Sequence, residues 1–528
     1  MSDYVDADAP GRLPAFVQEF SIEGLYGYRK VSLTSSFAAT ILIAGNGSGK
    51  TTLLGALDAF LRGQFIRLVE INFKKITCRL SDVPFELVLE KEQIVRLSRT
   101  VGTTAFIEVS ARYGIDPKQL FEYMEVDRRG RRRRDSRSDN DNPVFEKITA
   151  KADYSYRNAV KEVDKIASII ENNHIAIAQL RKIIDEVVGR YEIVYLPTYR
   201  RIELPLPPGP EGARAHARRA ASIGARLGVH KTSLYGGDIQ FGMADITERL
   251  RELNQSIVIN SNEGYARISA NIINELADGT YENEPIGVDD LPDEDSLNLF
   301  FSRLKSFERR NVFGPFNAIA NIPDIKQIMS QHGRSADVQK FLTYFLSKLN
   351  QVMLATKGIE RRVEDFIISC NSYLSSGDFG LKDAGAYGPS VVQDGKALVL
   401  SRKDLKVIVT STVTGGVIPF DSLSSGEKQM ISLFAELYLY EKDKIILIDE
   451  PELSLSLDWQ RRILMDVIKA PTCKQIVAIT HSPFIFENAL EPFAKPLSVT
   501  ANVALLAPQG DRDLGELFED LHDQESDI

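Results

Sequence analysis

The stretch Ala39-Thr40-Ile41-Leu42-Ile43-Ala44-Gly45-Asn46-Gly47-Ser48-Gly49-Lys50-Thr51-Thr52-Leu53-Leu54-Gly55-Ala56-Leu57 decides how this chain folds. Its first five residues form a strand-like apolar run, and Leu53 onward reads as an apolar helix. Between them lies a glycine-rich turn. Glycines at 45, 47 and 49 let backbone N–H groups turn inward, because no Cβ blocks the approach of a bulky anion. The helix start adds partial positive charge at the same point. Strand, loop and helix in this order predict a polyphosphate cradle lined by Asn46, Gly47, Ser48, Gly49, Lys50, Thr51 and Thr52. Lys50 would reach the β- and γ-phosphates and the Thr51 hydroxyl would bind Mg²⁺. Ala44 departs from the glycine usual at the first position of G-x-x-x-x-G-K-[ST], and alanine suits an ordinary backbone conformation there.

The matching half lies several hundred residues away. Ile445-Ile446-Leu447-Ile448 is a continuous apolar run, as expected for a strand covered on both faces. It ends in Asp449-Glu450. A carboxylate at a strand end can join a Mg²⁺ shell, and the next can polarise an attacking water, which assigns Asp449 to the metal and Glu450 to general-base work. A second apolar strand, Gln475 to Ile479, ends in Thr480-His481, where the imidazole can hydrogen-bond a γ-phosphate. Upstream, Leu423-Ser424-Ser425-Gly426-Glu427 precedes an expected helix from Met430 to Tyr440. Ser424 or Ser425 could cap that helix and so create an anion site.

These motifs together resemble the ABC-type ATPases, with Ser424, Ser425, Gly426 and Glu427 in the place of the signature motif and Ser454 to Asp458 in that of the D-loop. The resemblance implies an α/β fold, an ABC-type ATPase head assembled from N- and C-terminal lobes with a large, mainly helical insertion. It also implies ATP and Mg²⁺ as cofactors, and a homodimer or higher oligomer of dimers in which the signature of one copy closes on the γ-phosphate held by the other.

The spacing narrows the branch. Lys50 and Ser424 stand 374 residues apart, too far for a compact transporter cassette. The interval is too short, and too weak in sustained heptads, for a long SMC coiled coil. Compact SMC-like and OLD-like ATPases remain. Tyr195-Leu196-Pro197-Thr198-Tyr199-Arg200-Arg201-Ile202-Glu203, Gln240-Phe241-Gly242-Met243 and Asp449-Glu450-Pro451-Glu452-Leu453-Ser454-Leu455-Ser456 are similar to the PtuA ATPases of Septu and Septu-bearing retron defence systems. That resemblance implies an HNH nuclease partner of the PtuB kind and, in retrons, a reverse transcriptase with its multicopy single-stranded DNA. An OLD-type Toprim domain does not fit the 47 residues after His481. A RecF-like repair clamp and a nucleotide-sensing scaffold with little turnover remain the rival readings.

Composition sets the bounds. The chain has 528 residues, 43% hydrophobic and 26% charged, which suits a soluble globular protein of several domains. A net charge of −9 confines any nucleic-acid contact to local patches. Three scattered cysteines fit a reducing cytoplasm, and neither a secretory signal nor a membrane span is expected. Seven of the ten residues 128–137 are arginine. Arg131, Arg132, Arg133 and Arg134 are candidates for nucleic-acid or partner contact, as are Arg200 and Arg201. Gln240 is a candidate Mg²⁺ ligand.

The chain divides by composition into an N-terminal ATPase lobe (1–120), an insertion with the arginine-rich loop and a long helix from about Asn158 to Gly189 (121–190), and a strand with a basic loop (191–243). A helical region (244–390) and a C-terminal ATPase lobe (391–528) follow.

Overall fold

The computed structural model describes residues 10–131, 142–197, 243–279, 287, 290–308, 335–375, 395–401 and 406–501. It is a mixed α/β fold. Thirteen strands among the described residues form three sheets. β1 (Val17–Leu25), β2 (Arg29–Thr34), β4 (Lys75–Leu80), β5 (Leu87–Glu90) and β13 (Ser498–Ala501) make an antiparallel sheet in the order β13-β2-β1-β4-β5. β3 (Ala39–Ile43), β6 (Glu192–Leu196), β10 (Lys444–Asp449), β11 (Cys473–Thr480) and β12 (Ala494–Pro496) make an all-parallel sheet in the order β12-β3-β11-β10-β6. β7 (Lys396–Ser401), β8 (Lys406–Ser411) and β9 (Val417–Ile418) form a small antiparallel sheet.

The parallel sheet shows why its strands carry unbroken apolar runs. Side chains alternate faces along a strand, and here both faces are covered. Ile445, Leu447, Val477 and Ile479 pack with Leu53, Leu57 and Phe60 of the helix Lys50–Leu61. The intervening Ile446, Ile448, Ile476 and Ala478 pack with Met430, Phe434 and Leu437 of the helix Ser425–Leu439, and with Ile463 and Val467 of the helix Leu457–Lys469. A charge on either face would therefore enter a core.

One buried polar side chain joins the two large sheets. Gln475 Oε1 accepts from the Val17 amide at 2.8 Å and its Nε2 donates to the Val17 carbonyl at 3.0 Å, across 458 residues of chain. The fully buried Lys444 ammonium is held by Glu192 at 2.9 Å, which pins β10 to β6.

The helical region before β6 differs from expectation. The helix expected from Asn158 to Gly189 is two helices, Tyr156–Asn173 and Ile175–Val188, parted at His174. Asn172 and Asn173 are poor helix formers, and the His174 ring turns to the Thr100 hydroxyl at 2.8 Å. In the same region Arg181 donates to both oxygens of Glu125, and both residues are buried.

Two long helices, Met243–Ala277 and Ala336–Leu374, pack against each other. They run antiparallel: Ile246, Leu250 and Leu253 share a core with Val363 and Phe366, whereas Ile268 packs beside Leu346 and Leu349. Gly264 lets them pack closely, since a Cβ there would come within 2.4 Å of Val352 Cγ1. At 1.5 Å rise per residue the longer helix spans about 58 Å.

Candidate functional site

Three strands that lead into candidate site residues end at one edge of the parallel sheet. β3 runs into the glycine loop, β10 into Asp449-Glu450, and β11 into Thr480-His481. Register brings these ends level, with Ile43 opposite Thr480 and Asp449 opposite Ile479. The carboxyl edge of parallel strands is where open α/β sheets take their ligands.

The loop has the backbone its glycines permit. Gly47 and Gly49 have φ of +74° and +91°, and Gly49 is the residue before the helix. A Cβ at Gly45 or Gly47 would meet nothing within 4 Å, so these positions border open space. The Ser48 hydroxyl is buried and has no hydrogen-bond partner among the described residues. The first turn of the helix therefore offers donors and room together, which fits a phosphate chain.

The Thr51 hydroxyl donates to Asp449 Oδ2 at 2.5 Å, and Asp449 is fully buried. A hydroxyl and a carboxylate in contact beside a phosphate cradle suit Mg²⁺, which takes oxygen ligands and completes its shell with phosphate and water. Among the described residues no group of three or more His, Cys, Asp or Glu side chains gathers for a metal, and a magnesium–nucleotide site does not require one. The third candidate ligand, Gln240, lies outside the described residues, as do Arg132, Arg133, Arg134, Arg200 and Arg201.

Glu450 sits one residue beyond the strand with φ of +51°, a left-handed conformation that costs a glutamate about 1 to 3 kcal/mol. Its amide still donates to Ile479 at 2.8 Å. The turn swings the carboxylate out of the sheet until Oε1 lies 2.6 Å from Lys50 Nζ. Lys50 also lies 3.5 Å from Asn46 Oδ1. His481 Nδ1 lies 3.7 Å from Glu450 Oε1 and 3.1 Å from Glu452 Oε1.

The signature segment is itself the first turn of a helix. That helix begins at Ser425, five residues before the expected Met430, because Ser424 and Glu427 close a capping box. The Ser424 hydroxyl accepts from the Glu427 amide at 3.3 Å, and Glu427 Oε2 accepts from the Ser424 amide at 2.7 Å. Lys396 anchors Glu427 at 2.9 Å. Gly426 meets the D-loop: a Cβ there would come within 2.3 Å of the Ser454 carbonyl oxygen, and Ser454 has φ of +64°. Gln429 Nε2 reaches the Leu453 carbonyl at 3.4 Å.

Three residues near the site escape sequence reasoning. Arg29 of β2 donates to the Gly47 carbonyl at 3.1 Å and places a cation beside the phosphate loop. Its distance along the sequence gives no signal. Glu452 is visible in the Asp449-Glu450-Pro451-Glu452 run, yet its contacts are not. Gln460, a helix residue, donates to the Glu452 and Leu455 carbonyls at 3.3 and 3.0 Å. In the arginine-rich segment, the backbone is helical through Arg131, and Arg128 is held by Asp164 at 2.7 Å. Arg129 is buried, with Glu171 at 3.6 Å. Its burial, with the Arg181 charge nearby, lowers the guanidinium to about 9. These first two arginines are structural.

Residues 264–487 match a family described as "AAA domain, putative AbiEii toxin, Type IV TA system". The match takes in the signature, Asp449, Glu450 and His481. No curated protein matches the chain. Among solved structures the chain is similar to the Smc head domain with an extended coiled coil bound to the C-terminal domain of ScpA, from Pyrococcus furiosus. That similarity has 13% identity and a TM-score of 0.32, over 96% of this chain and 99% of that chain. No helix among the described residues is long and apolar enough to cross a membrane.

Proposed function

We propose that this chain is the ATP-binding and ATP-hydrolysing subunit of an anti-phage defence complex of the PtuA kind. The observation that carries the ATPase part is the meeting, at one sheet edge, of Lys50 and Thr51 with Asp449, Glu450 and His481. Lys50 and the loop amides would hold the phosphates. Thr51 and Asp449 would hold Mg²⁺, which offsets charge on the β- and γ-phosphates. Glu450 would take a proton from the attacking water, and His481 would bind the γ-phosphate. General bases contribute about 100- to 10,000-fold.

Within the chain, Gly426 packs on the Ser454 carbonyl and Glu427 bonds Lys396. The capped helix start, with its amide donors and partial positive charge, would complete the phosphate site of a second copy. ATP would therefore hold two copies together, and its hydrolysis would release or activate a bound HNH nuclease. In the retron branch a reverse transcriptase and its multicopy DNA would join. Arg131 to Arg134, Arg200 and Arg201 would supply the nucleic-acid or partner contacts. The matched family's description, a toxin of a Type IV TA system, supports a role in a system of several components.

The test is purification of the tagged chain from its native operon, with identification of everything that accompanies it. A nuclease, with or without a reverse transcriptase and small DNA, is expected. A lone dimer, or repair proteins on chromosomal DNA, would contradict the defence assignment and favour a repair clamp.

A further inference from the structure

The turn after β10 carries two glutamates that approach one imidazole. We propose that Glu452 is the positioning residue of His481, a role that rests on the ATPase reading above. Glu452 is 7% exposed, and both of its oxygens are engaged. Oε2 accepts from the Thr480 hydroxyl at 2.8 Å. Oε1 accepts from the His481 amide at 3.2 Å and lies 3.1 Å from His481 Nδ1. The carboxylate thus bonds the backbone of His481 and stands within ion-pair distance of its ring.

Glu450 is not equivalent. Its Oε1 stands 3.7 Å from the same ring nitrogen and only 2.6 Å from Lys50. Glu452 is therefore the carboxylate that would receive an Nδ1 proton, while Glu450 Oε1 faces Lys50. A histidine's second nitrogen takes its role from the bond the first one makes. With Nδ1 committed, Nε2 is the nitrogen that remains for a phosphate oxygen. Glu452 faces the ring as the orienting aspartate faces the histidine of a Ser-His-Asp triad.

The turn is fastened from behind. Gln460 Nε2 donates to the Glu452 carbonyl at 3.3 Å, and Gln460 Oε1 accepts from the Ser482 hydroxyl at 3.0 Å. The residues on both sides of His481, Thr480 and Ser482, are therefore tied to the segment that bears Glu452.

The experiment compares ATP turnover of wild type, Glu452→Gln, His481→Ala and the double variant, with the tautomer of His481 read from ¹⁵N-histidine NMR of wild-type protein and assigned by His481→Ala. Glu452→Gln should lower kcat about 10- to 100-fold, as loss of an outer partner does for metal-binding histidines, with KM for ATP little changed. The double variant should be no slower than His481→Ala alone, because residues that act as a unit are not additive. Unchanged kcat in Glu452→Gln, or losses that multiply in the double variant, would overturn the proposal. In the NMR experiment a protonated Nδ1 supports it and a bare Nδ1 overturns it, whether or not the protein turns over ATP. Wild-type turnover no faster than that of Glu450→Gln would instead sink the ATPase reading, leaving the tautomer to decide the role of Glu452.

Discussion

Lys50 Nζ lies 2.6 Å from Glu450 Oε1 although 400 residues of chain separate them. Both side chains are largely buried, at 7% and 14% exposure. The pair closes the glycine loop onto the strand end that bears Glu450, the proposed general base. A nucleotide would offer Lys50 phosphate oxygens, and Glu450 would then turn to water. Lys50→Met should weaken ATP binding roughly 10- to 100-fold, the worth of one hydrogen bond to a charged group. Titration calorimetry with Mg-ATP measures this, and unchanged affinity would contradict the role.

The contact between Gly426 and the Ser454 carbonyl predicts that Gly426→Ala is not a mild change. The added Cβ would come within 2.3 Å of that oxygen, which belongs to backbone and cannot swing aside. The signature helix and D-loop must separate, at a cost of roughly 1 to 3 kcal/mol. The variant should still bind ATP and should hydrolyse it roughly 10- to 100-fold more slowly, because displaced groups lose their alignment. Single-turnover kinetics beside thermal unfolding would check this, and wild-type turnover would refute it.

Asp58 predicts a pH signature of stability. Burial pushes its carboxyl up, but the Arg62 and Arg67 guanidiniums beside it outweigh that and hold it below the usual range. Both ion pairs are short, at 2.6 and 2.7 Å. A depressed folded value means that the stabilisation is present above about pH 4, the unfolded value, and is lost as pH falls through the folded one. Asp58→Asn should cost roughly 3 to 5 kcal/mol at pH 7, where it leaves Arg67 buried without its carboxylate. That cost should shrink in acid. Urea unfolding from pH 7 down to 3 tests the sign, and a cost independent of pH would contradict it.

Gln475 predicts a structural defect with no chemical one. Gln475→Leu keeps the volume and removes both bonds to Val17, stranding a buried amide and a buried carbonyl. The expected loss is roughly 2 to 4 kcal/mol, with ATP affinity unchanged in protein that remains folded. A loss below 1 kcal/mol in chemical denaturation would show that the seam opens to water.

The site was legible in sequence where its parts are local. A glycine loop between strand and helix, an acidic pair at a strand end and a histidine at the next strand end each carry their own signal, and the structure places them together. The capping box of Ser424 and Glu427 was half legible: a cap was expected, but the helix starts at the signature itself because Glu427 closes it. What was not legible depends on pairs distant in sequence. Arg29 on the Gly47 carbonyl, Glu452 on the His481 ring and Gly426 on the Ser454 carbonyl have no spacing that a single chain displays. The break at His174 was hidden because the apolar period continues through it, while two asparagines and the bond to Thr100 end the helix. Gln240, Arg132 to Arg134, Arg200 and Arg201 lie outside the described residues.

The most direct measurement is steady-state ATP turnover by wild type and Glu450→Gln, with ATP binding measured on both. Hydrolysis by the wild type that falls about 100- to 10,000-fold in the variant, while ATP still binds, is the predicted result. Equal turnover in the two proteins would contradict Glu450 as the general base and, with it, the reading of this chain as an ATP-hydrolysing subunit.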